Sequence, residues 1–122
     1  VSIRGIRQTY TELCGDSDVL REEGVKVIAA AAASGDKEAQ FAFQWTAQWL
    51  AVGLANAVAM TGPGRIVLFG GIAQSGDLLM APLQAAFRKG LLNIYQGRVD
   101  LVLSELPADD AALLGAAALT AL

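Results

Sequence analysis

The chain has 122 residues, 54% of them hydrophobic and 17% charged, with a formal net charge of -3. So apolar a composition excludes disorder, and a sequence pI near 4.7 argues against a binder of phosphate backbones, which needs clustered Lys and Arg. One cysteine excludes an internal disulfide, and the lack of histidine removes the usual ligands of a structural zinc site.

The opening residues Val1-Ser2-Ile3-Arg4-Gly5 have neither an initiating Met nor the order of a secretory signal, so the expectation is a chain that begins mid-protein. Gly15-Asp16-Ser17-Asp18 followed by Glu22-Glu23 reads as a loop and the acidic first turn of a helix running to about Ala33, which Gly35 ends. Asp36 is placed to cap the next helix, predicted to be the longest, in which Phe41, Trp45, Trp49, Val52 and Asn56 recur at three- and four-residue steps. Two tryptophans four residues apart suit a stacking platform for a sugar or base, but helical stripes of this kind are usually core or interface.

Gly62-Pro63-Gly64 breaks that helix, and a strand begins at Arg65 or Ile66. Ile66, Val67, Leu68 and Phe69 have no polar alternation, so the strand is expected to be covered on both faces, as in a parallel sheet flanked by helices. After Gly70 and Gly71 the chain returns through a helical turn at Leu78 and Leu79 and a helix from about Pro82 to Ile94, with the proline in its first turn. Arg88 and Lys89 sit at the solvated end of that helix, where cations offset its dipole. A second strand, Val99 to Leu103, is then parallel to the first, joined by a right-handed crossover. Asp109 or Asp110 caps a last helix, and Gly115 lies within it. A mid-helix glycine costs roughly 1 kcal/mol relative to alanine, so something there needs the backbone close, either a packed helix or a nucleotide. The apolar runs Val27 to Ala33 and Ala111 to Ala118 are too short for a membrane span of about 20 residues, and no transmembrane helix is expected.

The chemistry centres on Gly70 and Gly71 at the carboxyl end of the first strand. Ligands of open α/β sheets bind at that edge, and glycine lets a phosphate, ribose or base approach backbone that a Cβ would shield. A Gly-Gly pair is also an ordinary way to turn a chain. No phosphate-binding P-loop, dinucleotide fingerprint, nucleophile elbow or Cys-His arrangement is present, and acid pairs such as Glu22-Glu23 and Asp109-Asp110 fit helix starts. No catalytic residue and no metal ligand is therefore named.

The order of segments resembles the carboxyl-terminal part of the ROK family of repressors, open reading frames and sugar kinases. The resemblance is carried by Ala33-Ser34-Gly35-Asp36 with Glu38-Ala39, by Asn56 and Pro63, by the strand and glycines Ile66 to Gly71, by Gly76-Asp77-Leu78-Leu79 with Pro82, and by Asp109 to Leu119. Ile72 stands where relatives often carry a further glycine or small residue. The resemblance implies a helix-rich carboxyl-terminal fragment of an actin-like, ribonuclease H-like ATPase domain, with about four helices and two parallel strands. Residues 1–122 would then be a single partial domain. Two strands alone leave bare faces and unpaired edges, which fits an incomplete sheet.

By that resemblance Gly70 and Gly71 border the adenosine and α-phosphate of ATP, Ile72 and Ala73 line the turn, and the segment around Leu114 and Gly115 approaches the adenine side. Mg²⁺ belongs to the complete protein, a zinc site lies upstream of Ser2 to Gly15, and the sugar is held mainly outside this segment. The partners implied are the amino-terminal part of the same protein and a second copy of the chain, in the cytoplasm, with no membrane or direct nucleic-acid contact. The function implied is the nucleotide-cleft portion of an ATP-dependent hexose kinase resembling the ROK glucokinases, with no turnover by these residues alone. A sugar-sensing transcriptional repressor of the same family is the alternative, and a helical interaction domain without a nucleotide site is a third reading.

Overall fold

The computed structural model describes residues 2–14, 24–106, 110 and 116–118. They form helices α1 (Ile3–Cys14), α2 (Val25–Ala33) and α3 (Lys37–Thr61), strand β1 (Arg65–Leu68), helix α4 (Asp77–Gly90) and strand β2 (Asp100–Leu103). Single 3₁₀ turns at Ala73–Ser75 and Asn93–Tyr95 flank α4. Asp110 and Ala116, Ala117 and Ala118 are helical. The loop expected at Gly15 to Asp18, the acidic turn at Glu22-Glu23, Asp109 and Gly115 lie outside the described residues.

α3, at 25 residues, is the longest described helix, and its ends follow from local chemistry. The Asp36 carboxylate accepts the Ala39 amide at 3.0 Å, meeting one of the donors a helix start leaves over. At the other end Gly62 takes the left-handed conformation, φ 58°, and its amide reaches the Val58 carbonyl at 2.8 Å before Pro63 prevents another turn. Gly53, exposed in the middle of α3, has no comparable reason within the chain. It costs about 1 kcal/mol relative to alanine, and a Cβ built there would meet nothing within 4 Å.

The core lies between α3 and α4, with α1 and α2 packed on α3. Phe43, Val58, Leu79, Leu83 and Phe87 are buried there, joined by Ile6 from α1 and Ile28 from α2. α1 was not among the expected helices, although Ile3, Ile6, Tyr10 and Leu13 keep its three- and four-residue rhythm. It is tied down by the Tyr10 hydroxyl, which donates to Asp36 Oδ2 at 2.7 Å.

β1 and β2 pair in parallel, with Arg65 opposite Asp100 and Leu68 opposite Leu103. Arg65 Nη2 meets Asp100 Oδ2 at 3.1 Å on the exposed surface. Ile66, Leu68 and Leu101 pack toward the helices, whereas Val67 and Phe69 are exposed. The expectation of cover on both faces is thus corrected: the described helices lie against one face of the strand pair only.

Two further expectations change. α4 is continuous from Asp77 through Pro82 and ends at Gly90, rather than running from Pro82 to Ile94. Gly76 and the acidic Asp77 start it earlier, so Pro82 is its sixth residue, and Leu91 turns to an extended conformation that buries its side chain. Ile94 falls in the following 3₁₀ turn and is exposed. Of the core or interface expected for the aromatic stripe of α3, core is excluded: Phe41, Trp45 and Trp49 are 46%, 43% and 58% exposed, with Phe41 stacked on Trp45 at a centroid distance of 6.1 Å and Trp45 edge-on to Trp49 at 5.9 Å.

Candidate nucleotide-binding site

The two strands end side by side, so their carboxyl edge is a single feature. The Ser104 amide donates to the Leu68 carbonyl at 2.8 Å, closing the ladder where both chains leave the sheet. Gly70 follows with φ 111°, a conformation L side chains rarely adopt, and a Cβ built on it would point into open space. Neither Gly70 nor Gly71 has its amide N–H engaged by another described residue. The chain then makes a tight turn, with Ser75 N–H on the Ile72 carbonyl at 3.0 Å and Gly76 N–H on the Ala73 carbonyl at 3.2 Å, before α4 begins.

This corner separates two clefts. One, of about 230 Å³, is lined by Phe69, Gly70, Ala73, Gln74, Gly76 and Ser104, among others. The other, of about 390 Å³, lies toward α2 and is lined by Lys26, Ala29, Gly71, Gln74 and Ser75, among others. Ligand pockets typically measure about 300–1,000 Å³. The first cleft is smaller than that, and the second lies within the range near its lower limit.

Of the residues singled out in the sequence, Gly70 and Ala73 meet in the first cleft and Gly71 borders the second. Ile72 is half-buried and packs against the hydrophobic core, where it anchors the turn. Gln74, Ser104 and Lys26 were not anticipated. Ser104 was within reach of the rule applied to Gly70, since it directly follows the second strand. Lys26 comes from a distant helix, and nothing local in sequence placed it near Gly71.

Among the described residues the first cleft is lined by uncharged side chains, and Lys26 is the charged one lining the second. The arrangement offers backbone amides, one amide side chain, two hydroxyls and a cation, donors suited to an anionic ligand. Among the described residues it holds no acid and base pair. Among the described residues no group of three or more His, Cys, Asp or Glu side chains is placed to hold a metal ion. No described helix is long and apolar enough to cross a membrane.

A larger cavity, of about 450 Å³, opens at the amino end of β2, between Arg88, Leu91 and Val99. It lies at the edge of the sheet away from the glycines, where open α/β sheets do not usually bind ligands. The perturbed titrating groups are also elsewhere. The Asp36 carboxyl is held below its ordinary value chiefly by the Ala39 amide and next by the Tyr10 hydroxyl. The Tyr10 phenol is raised, chiefly by its hydrogen bond to Asp36. That pair joins α1 to the start of α3 and serves the fold.

Known proteins are similar to this chain in sequence and fold. The glucokinase of Streptomyces coelicolor is 28% identical over 93 residues, which cover 75% of this chain and 29% of the glucokinase. The crystal structure of a ROK family glucokinase from Streptomyces griseus, in complex with glucose and AMPPNP, matches 96% of this chain and 40% of that one at 29% identity, with a TM-score of 0.74. A ROK family transcriptional regulator, a homologue of the E. coli MLC protein, matches 88% of this chain and 28% of its own at 27% identity, with a TM-score of 0.73. The chain therefore spans less than half the length of each of these proteins. Its helices and parallel strands form a helix-rich part of the actin-like ATPase fold of the ROK sugar kinases. The ROK family profile runs over residues 1–121, taking in both strands and the glycine corner between them, and the chain belongs to the ROK family.

Proposed function

We propose that this chain supplies one wall of the nucleotide cleft of an ATP-dependent hexose kinase. The observation that carries the reading is the Gly70 corner: an open glycine with a free amide, at the carboxyl edge of two parallel strands. The AMPPNP and glucose held by the Streptomyces griseus neighbour support it. The donor set also fits a nucleotide, because backbone amides and Lys26 meet negative phosphate while the missing Cβ leaves room for it to approach.

In this reading Gly70 and Gly71 border the adenosine and α-phosphate, and Ala73 shapes the turn that Ile72 anchors. Gly115 approaches the adenine side. Bound ATP would supply the γ-phosphoryl group. Transfer of that group also needs a base for the sugar hydroxyl and a metal ion bridging phosphate oxygens. We assign the base, the sugar contacts and any zinc site to parts of a kinase outside these residues, with Mg²⁺ arriving on the nucleotide. The 122 residues alone are then expected to show no turnover, and the site of action is the cytoplasm. The regulator neighbour favours a second reading, in which the same architecture senses a sugar without transferring phosphate.

One pair of measurements separates them. The protein that joins this chain to the parts assigned outside it is titrated with Mg²⁺-AMPPNP by calorimetry and, with ATP, assayed for hexose-dependent ADP release. Nucleotide binding with ADP release supports the kinase, and sugar binding without either supports the regulator. Absence of both overturns the assignment of the corner.

A further inference from the structure

The cations of this acidic chain are unevenly spread. Because β1 and β2 are parallel and α4 returns the chain from one to the other, the starts of both strands and the last turn of α4 share one end of the fold. Arg65 opens β1, Arg98 stands just before β2, and Arg88 and Lys89 lie in the last turn of α4, so four of the nine Lys and Arg residues gather there. Between Asp77 and Glu105 the sequence has one acid, Asp100, and the Arg65 guanidinium meets it at 3.1 Å. The carboxyl end of a helix contributes only about half a negative charge, less than Lys89 alone offsets. A chain with a formal charge of -3 therefore has one positive end.

The cavity of about 450 Å³ at the amino end of β2 opens within that end, and its volume is in the range of small-molecule sites. Its floor is apolar, made by the buried side chains of Phe87, Leu91 and Leu101. Its rim is polar. Arg88 makes no hydrogen bond or ion pair with another described residue. The Gln84 side-chain amide donates to the Leu101 carbonyl at 3.4 Å and the Gln96 amide to the Leu91 carbonyl at 3.5 Å, both beyond the usual length of such bonds. These N–H groups can turn to a ligand at little cost.

We propose that this cavity binds a small organic acid, its apolar body on the Phe87, Leu91 and Leu101 floor and its carboxylate on the Arg88 guanidinium beside the Gln84 and Gln96 amides. The guanidinium fork offers a carboxylate two parallel N–H donors. An inorganic anion would leave the floor bare, and a neutral hydrocarbon would gain nothing from the positive end. Arg88 is exposed, so the ion pair is worth little by itself. Burial of the body supplies most of the affinity, and the charge selects an acid over its neutral analogue. Parallel sheets usually take anions at the carboxyl edge because helix amino ends point there; here side chains make the field instead. The proposal does not rest on the nucleotide reading of Gly70.

The test uses 2-naphthoate as the probe and 2-naphthalenemethanol as its neutral analogue, on the protein that joins this chain to the parts assigned outside it. Calorimetry is expected to give the acid a Kd below about 1 mM, with the alcohol about fivefold weaker. Amide resonances of Gln96, Gly97 and Leu101 are expected to shift on addition of the acid. Arg88→Gln removes the charge and should weaken the acid about fivefold while leaving the alcohol unchanged, with helix content by circular dichroism kept. No binding of the acid below about 1 mM, resonance shifts confined to other residues, an alcohol as tight as the acid, or an acid indifferent to Arg88→Gln would each overturn the proposal. Should Arg88→Gln lose helix content, the resonance shifts and the comparison of acid with alcohol on the unaltered protein decide the case.

Discussion

Tyr10 and Asp36 are joined by a 2.7 Å hydrogen bond between residues 26 positions apart. The same carboxylate caps α3 through the Ala39 amide, so one acidic side chain fixes both the start of the longest described helix and the seat of α1. Its protonation should therefore be felt by two helices together.

The Asp36 carboxyl in the folded chain lies below its ordinary value of 3.8, so the unfolded chain takes up the proton first as pH falls. The stabilisation is fully present above pH 3.8 and is lost as pH drops through the lower folded value. Asp36→Asn keeps a capping oxygen but removes the titration, and its melting temperature should vary less with pH over that acid range than the wild type's. Equal slopes for the two proteins would show that Asp36 does not govern the acid limb.

Phe87 is 2% exposed where α4 meets the core. Phe87→Ala removes a buried ring from a close-packed site and is expected to cost about 3–5 kcal/mol. Urea unfolding monitored by far-ultraviolet circular dichroism measures it as a lower midpoint at unchanged slope.

Pro82 is the sixth residue of the continuous α4, where its absent N–H leaves the Leu78 carbonyl without its usual donor. Pro82→Ala restores that bond while giving the unfolded chain more freedom. The net effect expected is a gain of about 1–2 kcal/mol, read as a raised melting temperature. A destabilised Pro82→Ala would mean that the packing of the half-buried ring outweighs the missing bond.

Gly70 tests the proposed site. Gly70→Val is strained by φ 111° whatever the space, but no neighbour obstructs the new side chain, so the change should tilt the corner rather than unfold the chain. AMPPNP affinity is expected to fall about tenfold or more with far-ultraviolet circular dichroism unchanged. Unaltered affinity would remove the corner from the nucleotide site.

Much of this was legible locally. The Asp36 cap, the Gly62-Pro63 stop and the apolar run ending at Gly70 each express short-range chemistry, and each appears where the residues indicated. α1 was overlooked because four apolar residues in twelve make a narrow stripe, and its decisive contact is with a residue far along the chain. The start of α4 was misjudged because proline favours first turns, while here Gly76 and Asp77 begin the helix five residues earlier. Cover over Val67 and Phe69 was expected from their hydrophobicity alone; hydrophobicity says that a residue prefers shelter, not that the same chain provides it. At the site, Gly70 and Ala73 could be read in sequence, whereas Lys26 reaches the corner only through tertiary packing.

The strand pair, with Val67 and Phe69 exposed on its outer side, owes its order to the helices beneath it and to the Ser104 amide on the Leu68 carbonyl, where its two ends leave the sheet beside Gly70. A molecule lodged there would clamp both ends at once. Occupancy would then be converted into rigidity, and deuterium uptake at Val67 and Val102, outside the residues lining the cleft, would slow.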